Sequence, residues 1–140
     1  LPITDLRMTR FWISLTQGVE LVIKALAEAN GGETFISKIP SFRITDLAEA
    51  MLPGCKWKET GIRPGEKLHE IMVTTEDSAT TYEYDKHFIV YPQMTWNNRQ
   101  QPDLSGTKVP EGFHYSSDNN KEWLGVEEIR ELLKDVELEK

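Results

Sequence analysis

Apolar residues recur at helical spacing in two parts of the chain. In the first part, between Ser14 and Asn30, the apolar positions fall on one face of a helix: Leu15, Val19, Val22, Ile23 and Leu26. Ser14 and Gln17 have the spacing of a capping box. Asn30 and the two glycines after it accept the left-handed conformation that ends many helices. The pattern therefore predicts a helix that begins after Ser14 and ends before Asn30.

The second repeat follows Gly125, close to the end of the chain. Its apolar positions are Val126, Ile129, Leu132, Leu133 and Val136. This spacing predicts a terminal amphipathic helix over about 126–136, with Gly125 as its cap.

Shorter segments between the two repeats have the composition of strands and turns. Runs of β-branched, aromatic or alternating residues predict strands over 11–13, 33–36, 56–60, 80–83 and 88–91. A short helix is expected at about 45–52, a helical turn at 66–72 and a long loop at about 92–112. Clean strand–helix–strand units are absent from the pattern. The sequence therefore predicts an α/β fold with an α+β-like arrangement, as one domain over residues 1–140.

The composition excludes several classes of function. The formal net charge is -7 and the isoelectric point is near 5.0, so general nucleic-acid binding is not expected. No apolar run approaches the roughly 18 residues that a membrane-spanning helix needs. Cys55 is the only cysteine, which fits a reducing cytoplasm. The three histidines, His69, His87 and His114, are too scattered to predict a metal site.

Arg10 is a candidate for binding a phosphorylated ligand. It directly precedes the predicted strand 11–13, so its side chain would lie at the rim of a cleft on a rigid element. A guanidinium group suits phosphate because its planar set of donors matches the phosphate oxygens. The alternative is a surface arginine paired with Asp5 or with a carboxylate at a helix end.

Arg63 and Glu66 form a second candidate group. Arg63 lies between Gly61 and Gly65, which permit a tight turn, and Pro64 biases it toward an extended conformation. In such a turn the arginine could hold a diphosphate while the glutamate accepts hydrogen bonds from sugar hydroxyls. The alternative is a structural ion pair between Arg63 and Glu66.

Tyr82 and Lys86 match the Tyr-x-x-x-Lys pair that short-chain dehydrogenases use in catalysis. That chemistry requires the two residues one turn apart on a helix. Here the surrounding segment, residues 80–88, is rich in β-branched and aromatic residues and predicts strand and turn. We therefore interpret the match as accidental and assign no catalytic residue to the chain.

Several stretches of the chain, taken in order, carry a family resemblance. They are residues 3–13, Lys38-Ile39-Pro40-Ser41, Ile44-Thr45-Asp46-Leu47-Ala48, residues 61–70, and Tyr115-Ser116-Ser117-Asp118-Asn119-Asn120 with Trp123-Leu124. Together they resemble the carboxyl-terminal half of inverting UDP-N-acetylglucosamine 4,6-dehydratases, of the pseudaminic acid biosynthesis type. These enzymes are extended short-chain dehydrogenases. The resemblance covers nearly the whole chain, so it is more specific than any single motif.

The resemblance implies a reaction for the complete enzyme. A nicotinamide cofactor, NADP or NAD, takes hydride from carbon 4 of the sugar, and water then leaves across carbons 5 and 6. Hydride returns to carbon 6, and reprotonation inverts carbon 5. The resemblance also implies that Arg10 and Arg63 contact the diphosphate of the UDP-sugar and that Glu66 contacts the ribose.

The resemblance further implies that this chain holds only part of such an enzyme. Neither Gly-x-Gly-x-x-Gly nor Gly-x-x-Gly-x-x-Gly is present, so we expect the segment alone to bind no cofactor and to be inactive. The expected partners are the UDP-sugar and the missing amino-terminal Rossmann half, in a cytoplasmic homo-oligomer without nucleic acid or membrane. Two alternatives stay open: a related UDP-sugar epimerase or dehydratase, and a non-catalytic nucleotide-sugar-binding or structural module.

Overall fold

The computed structural model of the chain describes residues 1–93 and 104–137, and of residues 135–137 the backbone alone. The helices are α1 (Leu15–Glu28), α2 (Ile44–Met51) and α3 (Val126–Glu137), with a 3₁₀ helix at Asp77–Thr80. The first five strands are β1 (Pro2–Ile3), β2 (Thr9–Phe11), β3 (Thr34–Ser37), β4 (Ser41–Arg43) and β5 (Lys58–Glu59). The others are β6 (Ile71–Val73), β7 (Thr81–Glu83), β8 (His87–Val90), β9 (Thr107–Lys108) and β10 (Tyr115–Ser116). This mixture of helices and strands confirms the predicted fold class.

The chain divides into two compact units. Unit 1 comprises Leu1–Trp12, Ile39–Glu70 and Ser116–Lys140, and unit 2 comprises Ile13–Lys38 and Ile71–Tyr115. All three predicted binding residues belong to unit 1. None of the described helices is long and apolar enough to cross a membrane.

Unit 1 is built around the packing of α2 and α3 against β4. Its buried centre consists of Phe42, Ala50 and Ile129, of which Ile129 is fully buried. The ring of Trp12 meets that of Phe42 edge to face, with centroids 5.7 Å apart. Strand β4 pairs antiparallel with β2, and β5 pairs parallel with β1. The predicted terminal helix is thus confirmed, and its apolar face supplies part of this core.

Unit 2 contains an antiparallel sheet of four strands in the order β3-β8-β7-β9. Strands β7 and β8 correspond to the strands predicted for residues 80–83 and 88–91, and they pair antiparallel as a hairpin. The predicted loop 92–112 includes β9, which pairs with β7, while its residues 94–103 lie outside the described part of the chain. Helix α1 begins with the predicted capping box, in which Ser14 and Gln17 each bond the other's backbone N–H.

The predicted helical turn over 66–72 is wrong. Residues 66–70 form no helix, and β6 begins at Ile71. The backbone of this segment bonds to distant residues: the Leu68 carbonyl accepts from Thr9 N–H, and Glu70 N–H donates to Ser117 Oγ. Tertiary hydrogen bonds thus replace the local ones that a helical turn would need. The predicted strand 11–13 is also displaced, since β2 ends at Phe11.

Asp5 and Arg7 fix the chain between β1 and β2. The Asp5 carboxylate accepts hydrogen bonds from the backbone N–H of Arg7 at 2.8 Å and from its guanidinium at 3.0 and 2.7 Å. These bonds, first from the Arg7 side chain and then from its backbone, lower the pKa of Asp5 from 3.8 to about 2. A carboxyl group whose pKa is lower in the folded state stabilises the fold above its unfolded pKa.

We expect Asp5→Asn to remove one component of the acid sensitivity of the fold. In the wild type, the stability that the Asp5 carboxylate contributes is present above about pH 4 and is lost as the pH falls toward about 2. The difference in free energy of unfolding between wild type and variant, measured by urea titration, should therefore shrink over that range. Asp85→Asn, in an exposed turn, is the control. A difference independent of pH would contradict the assignment.

Candidate functional site

Arg63 lies in a turn that is closed by two hydrogen bonds. Glu66 N–H donates to the Arg63 carbonyl at 3.0 Å, and Arg63 N–H donates to Glu66 Oε2 at 3.2 Å. Gly61 and Gly65 have φ values of 85° and 83°, a region that disfavours side chains. The turn predicted from the two glycines is confirmed, and its backbone is fixed by Glu66.

The side chain of Arg63 is exposed, and it forms no ion pair with the described side chains of residues 1–93 and 104–134. The structural alternative, an ion pair of Arg63 with Glu66, is not what the structure shows: the carboxylate contacts the Arg63 backbone N–H instead. The other oxygen of Glu66 keeps acceptor capacity. This turn therefore carries an exposed guanidinium and a carboxylate oxygen that can accept from a ligand.

The guanidinium of Arg10 lies against the backbone that follows this turn. Nη1 donates to the carbonyls of Thr9 at 2.7 Å and Leu68 at 3.1 Å, and Nη2 donates to the carbonyl of Lys67 at 3.0 Å. Nε is 3.4 Å from Glu70 Oε1. The predicted alternative partner, Asp5, pairs with Arg7 instead.

These contacts place Arg10 beside the segment 67–70, directly after Glu66. Most of its donors are directed at carbonyl groups, which leaves the positive charge of the guanidinium balanced by one carboxylate, that of Glu70. The Arg10 side chain is 23% exposed. An anion that binds at this surface would be attracted by the charge of Arg10 and would compete with the Glu70 carboxylate for the guanidinium.

Sequence reasoning missed a group of polar residues next to Arg10. The Thr9 hydroxyl lies 2.8 Å from His69 Nδ1 and 2.6 Å from Ser117 Oγ, and Ser117 Oγ accepts from Glu70 N–H at 2.9 Å. Thr9 and Ser117 are buried. No periodic pattern marks them. The available signal was that all of them lie in the stretches that carry the family resemblance.

Tyr82 and Lys86 do not have the helical arrangement of the Tyr-x-x-x-Lys pair. Tyr82 lies in β7 and Lys86 in the connection to β8, so the pair is not one turn apart on a helix. The ring of Tyr82 packs edge to face on that of Tyr91, with centroids 5.5 Å apart. The predicted strand at Tyr82 is confirmed, and the interpretation of the match as accidental stays a prediction. Among the described residues, no three His, Cys, Asp or Glu side chains are grouped to hold a metal ion.

Unit 2 contains a cavity of about 420 Å³ between α1 and the aromatic face of its sheet. The walls include Lys24 and Glu28 of α1 and the rings of Phe35, Tyr84 and His87. The His87 ring stacks on that of Tyr84, with centroids 4.9 Å apart. Burial, and then the charge of Lys24, lower the pKa of His87. Lys24 and Glu28 of α1 therefore face the sheet of their own unit.

Residues 1–92 match the sequence profile of a family described as "Polysaccharide biosynthesis protein". The chain is 47% identical, over 98% of its length, to a UDP-N-acetylglucosamine 4,6-dehydratase (inverting) of Campylobacter jejuni. It is 31% identical, over 95% of its length, to a UDP-glucose 4-epimerase of Rickettsia rickettsii. It covers 43% and 40% of these two relatives.

A solved structure is similar over nearly the whole chain. The X-ray structure of Pen from Bacillus thuringiensis matches with a TM-score of 0.77 and 33% identity. The match covers 99% of this chain and 40% of that protein. The chain thus spans less than half the length of each of these relatives, and the resemblance to the dehydratases is confirmed.

We expect Glu70→Gln to increase the affinity of this surface for pyrophosphate. The substitution removes the carboxylate that shares the charge of Arg10 but keeps the backbone N–H that bonds Ser117. A half-exposed ion pair of this kind is worth up to about 1 kcal/mol, or roughly fivefold in affinity. Titration calorimetry with pyrophosphate measures the change, and Glu59→Gln, on the exposed strand β5, is the control. Equal affinity in Glu70→Gln and wild type would show that Arg10 does not act on the anion.

Proposed function

The chain belongs to the polysaccharide biosynthesis protein family, and we propose that it is the substrate-binding portion of a nucleotide-sugar 4,6-dehydratase. The proposed substrate is UDP-N-acetylglucosamine, and the proposed product is inverted at carbon 5. The similarity to the C. jejuni dehydratase supports this choice of reaction. The observation that carries the binding role is the turn in which Glu66 fixes the backbone of Arg63 while the Arg63 side chain stays exposed.

The proposed roles follow from charge and geometry. Arg63 binds the diphosphate, because an exposed guanidinium can make two charge-assisted hydrogen bonds to phosphate oxygens. Arg10 supplies a second positive charge, held in place by the carbonyls of Lys67 and Leu68. Glu66 accepts hydrogen bonds from the ribose hydroxyls with the oxygen that does not bond Arg63 N–H. Removing either arginine should therefore weaken the binding of UDP itself.

The residues of this chain do not fit a nicotinamide cofactor. Its nine glycines occur in neither of the two glycine-rich spacings that cradle a dinucleotide. Tyr82, the tyrosine of the Tyr-x-x-x-Lys match, lies in a strand. We therefore assign NADP or NAD, the hydride transfers and the dehydration to the rest of a complete cytoplasmic enzyme, in a pathway of the pseudaminic acid type. The chain alone is proposed to be inactive.

A UDP-sugar 4-epimerase is the second candidate, supported by the similarity to the R. rickettsii epimerase. Both candidates require recognition of UDP, so the residues proposed above serve either one. The product distinguishes them. A complete dehydratase converts UDP-N-acetylglucosamine into a 4-keto-6-deoxy sugar. The product is lighter by one water, about 18 mass units, whereas an epimerase leaves the mass unchanged.

Helix α1 supports the proposal that the chain is one part of a larger protein. Five of its large apolar side chains form an exposed stripe, from Val19 at 49% to Leu26 at 80% exposed: Leu15, Val19, Val22, Ile23 and Leu26. The half-buried positions of α1 include Leu21, Lys24 and Ala25, which lie on a different side of the helix. Lys24 faces the sheet of unit 2 through the cavity. The apolar stripe of α1 therefore faces away from the sheet of unit 2.

Burial of such side chains contributes about 1.5–3 kcal/mol each, so an uncovered stripe of five is unfavourable in water. The relatives are more than twice as long as this chain. We propose that the stripe contacts the amino-terminal Rossmann half of the complete protein. In its absence, the same stripe would cause the chain to self-associate.

We expect Arg63→Ala to raise the KM of the complete enzyme for UDP-N-acetylglucosamine about tenfold or more. Loss of a charge-assisted contact costs roughly 1.5–3 kcal/mol. Steady-state kinetics with product detection by mass spectrometry measure the effect. Arg130→Ala is the control, since Arg130 pairs with Glu127 on α3. An unchanged KM would exclude Arg63 from the site.

For Arg10 we expect Arg10→Ala to raise the KM by a similar factor. Arg10→Lys should restore binding only in part, because lysine carries the charge without the planar fork of donors. Full rescue by lysine would show that only the charge at this position matters.

We expect the double variant Val22→Glu and Leu26→Glu to abolish self-association of the chain without unfolding it. Both side chains are already exposed, 58% and 80%, so acidic replacements lose no packing within unit 2. Light scattering measures the mass, and circular dichroism checks the helix content. Glu20→Gln, on the same helix, should leave self-association unchanged. A wild-type chain that is monomeric at all concentrations would contradict the proposed contact face.

A further inference from the structure

A chain of hydrogen bonds joins three separate segments of unit 1. It runs from the backbone N–H of Glu70 to Ser117 Oγ (2.9 Å), from there to Thr9 Oγ1 (2.6 Å), and on to His69 Nδ1 (2.8 Å). Thr9 is 5% exposed and Ser117 is 0% exposed, so water does not compete for these hydroxyl groups. This chain of hydrogen bonds begins at Glu70 and ends at His69, and both residues belong to the segment 67–70 that Arg10 also contacts.

The chemistry of these groups determines which atom donates in each hydrogen bond of this series. A backbone N–H can only donate, so Ser117 Oγ accepts from Glu70. The Ser117 hydroxyl then donates to Thr9, and the Thr9 hydroxyl donates to His69 Nδ1. With the opposite direction, the buried Ser117 proton would have no acceptor among the described residues, which is costly. His69 therefore accepts through Nδ1, and its proton is on Nε2, 4.0 Å from Asp118 Oδ2.

We propose that Thr9, Ser117 and His69 are positioning residues, which hold the segment 67–70 and with it Arg10 in the geometry that binds the diphosphate. The proposal rests on the function proposed above. None of the three needs to touch the substrate. Each acts through the segment that carries the acceptors of Arg10.

The connections on both sides of this segment support the proposal. On one side, Thr9 N–H donates to the Leu68 carbonyl at 3.3 Å, and Thr9 directly precedes Arg10. On the other side, Ser117 N–H donates to the Glu70 carbonyl at 2.8 Å. The same carbonyl of Leu68 also accepts from Arg10. A shift of segment 67–70 would thus move the Arg10 guanidinium, and displacements of about 1 Å can cost large factors in binding or rate.

Thr9→Val tests the proposal, because valine keeps the shape of threonine without its hydroxyl. In the complete enzyme we expect the KM for UDP-N-acetylglucosamine to rise about fivefold or more, with kcat within about twofold. Thr9→Ser, which restores the hydroxyl, should return the KM to within about twofold of wild type. Thr81→Val removes the hydroxyl of a fully buried threonine in unit 2 and should leave the KM unchanged.

The protonation of His69 gives a readout that does not depend on activity. In two-bond ¹H–¹⁵N spectra of the 140-residue chain near pH 7.5, we expect wild-type His69 to carry its proton on Nε2 and to accept through Nδ1. In Thr9→Val the Nδ1 signal should move toward that of a free acceptor, and in Thr9→Ser it should return. A proton on Nδ1 in the wild type would show that His69 donates to Thr9, which would contradict the proposed direction of the hydrogen bonds.

The outcomes separate this proposal from the function on which it rests. If the wild-type protein does not bind UDP in calorimetry, the proposed function fails, whatever the state of His69. If the wild type binds UDP and Thr9→Val has an unchanged KM, only the positioning role fails. If Thr9→Val and Thr9→Ser lose binding equally, the effect is one of packing and the hydroxyl has no positioning role.

Discussion

The anchoring of segment 67–70 to strand β2 is the constraint on which the candidate site depends. Two of the contacts come from one arginine, Arg10 of β2, whose guanidinium donates to the carbonyls of Lys67 and Leu68. Hydrogen bonds to charged groups are worth about 1.5–3 kcal/mol each, so this side chain alone can hold the segment in an irregular conformation. The turn of Arg63 and Glu66 directly precedes the segment, so the same contacts also restrict the position of the turn.

Several helices and turns of the fold could be predicted from the sequence, because they depend on local patterns. The capping box of Ser14 and Gln17 and the terminal helix after Gly125 were correct to within one or two residues. The turn between Gly61 and Gly65 was correct as well, since only the backbone preference of glycine was needed. The errors arose where distant groups decide the conformation. Residues 66–72 have a composition compatible with a helical turn, but their backbone bonds to Thr9, Arg10 and Ser117, which no local pattern reveals.

The site could be predicted only in part, for a related reason. Arginine and glutamate at a turn with two glycines have a recognisable chemistry, which made Arg63 and Glu66 candidates from residue type alone, beside the alternative of a structural ion pair. Thr9, Ser117 and His69 have no such signature, because a buried hydroxyl is informative only through its neighbours. Ser117 lies 108 positions from Thr9 along the chain. A contact of that sequence separation can be found only in three dimensions.

The acidity of the chain and the proposed binding of an anion are compatible, because the two act over different distances. The net charge of -7 is spread over the whole surface, and at physiological ionic strength charges more than about 8 Å apart are largely screened. A diphosphate at the turn would be governed by the nearest charges, which are the guanidinium groups of Arg63 and Arg10 and the carboxylates of Glu66 and Glu70. The proposed binding of a nucleotide thus needs no basic surface. It needs two guanidinium groups whose positions are fixed, and in this chain buried hydroxyl groups and backbone carbonyls fix one of them.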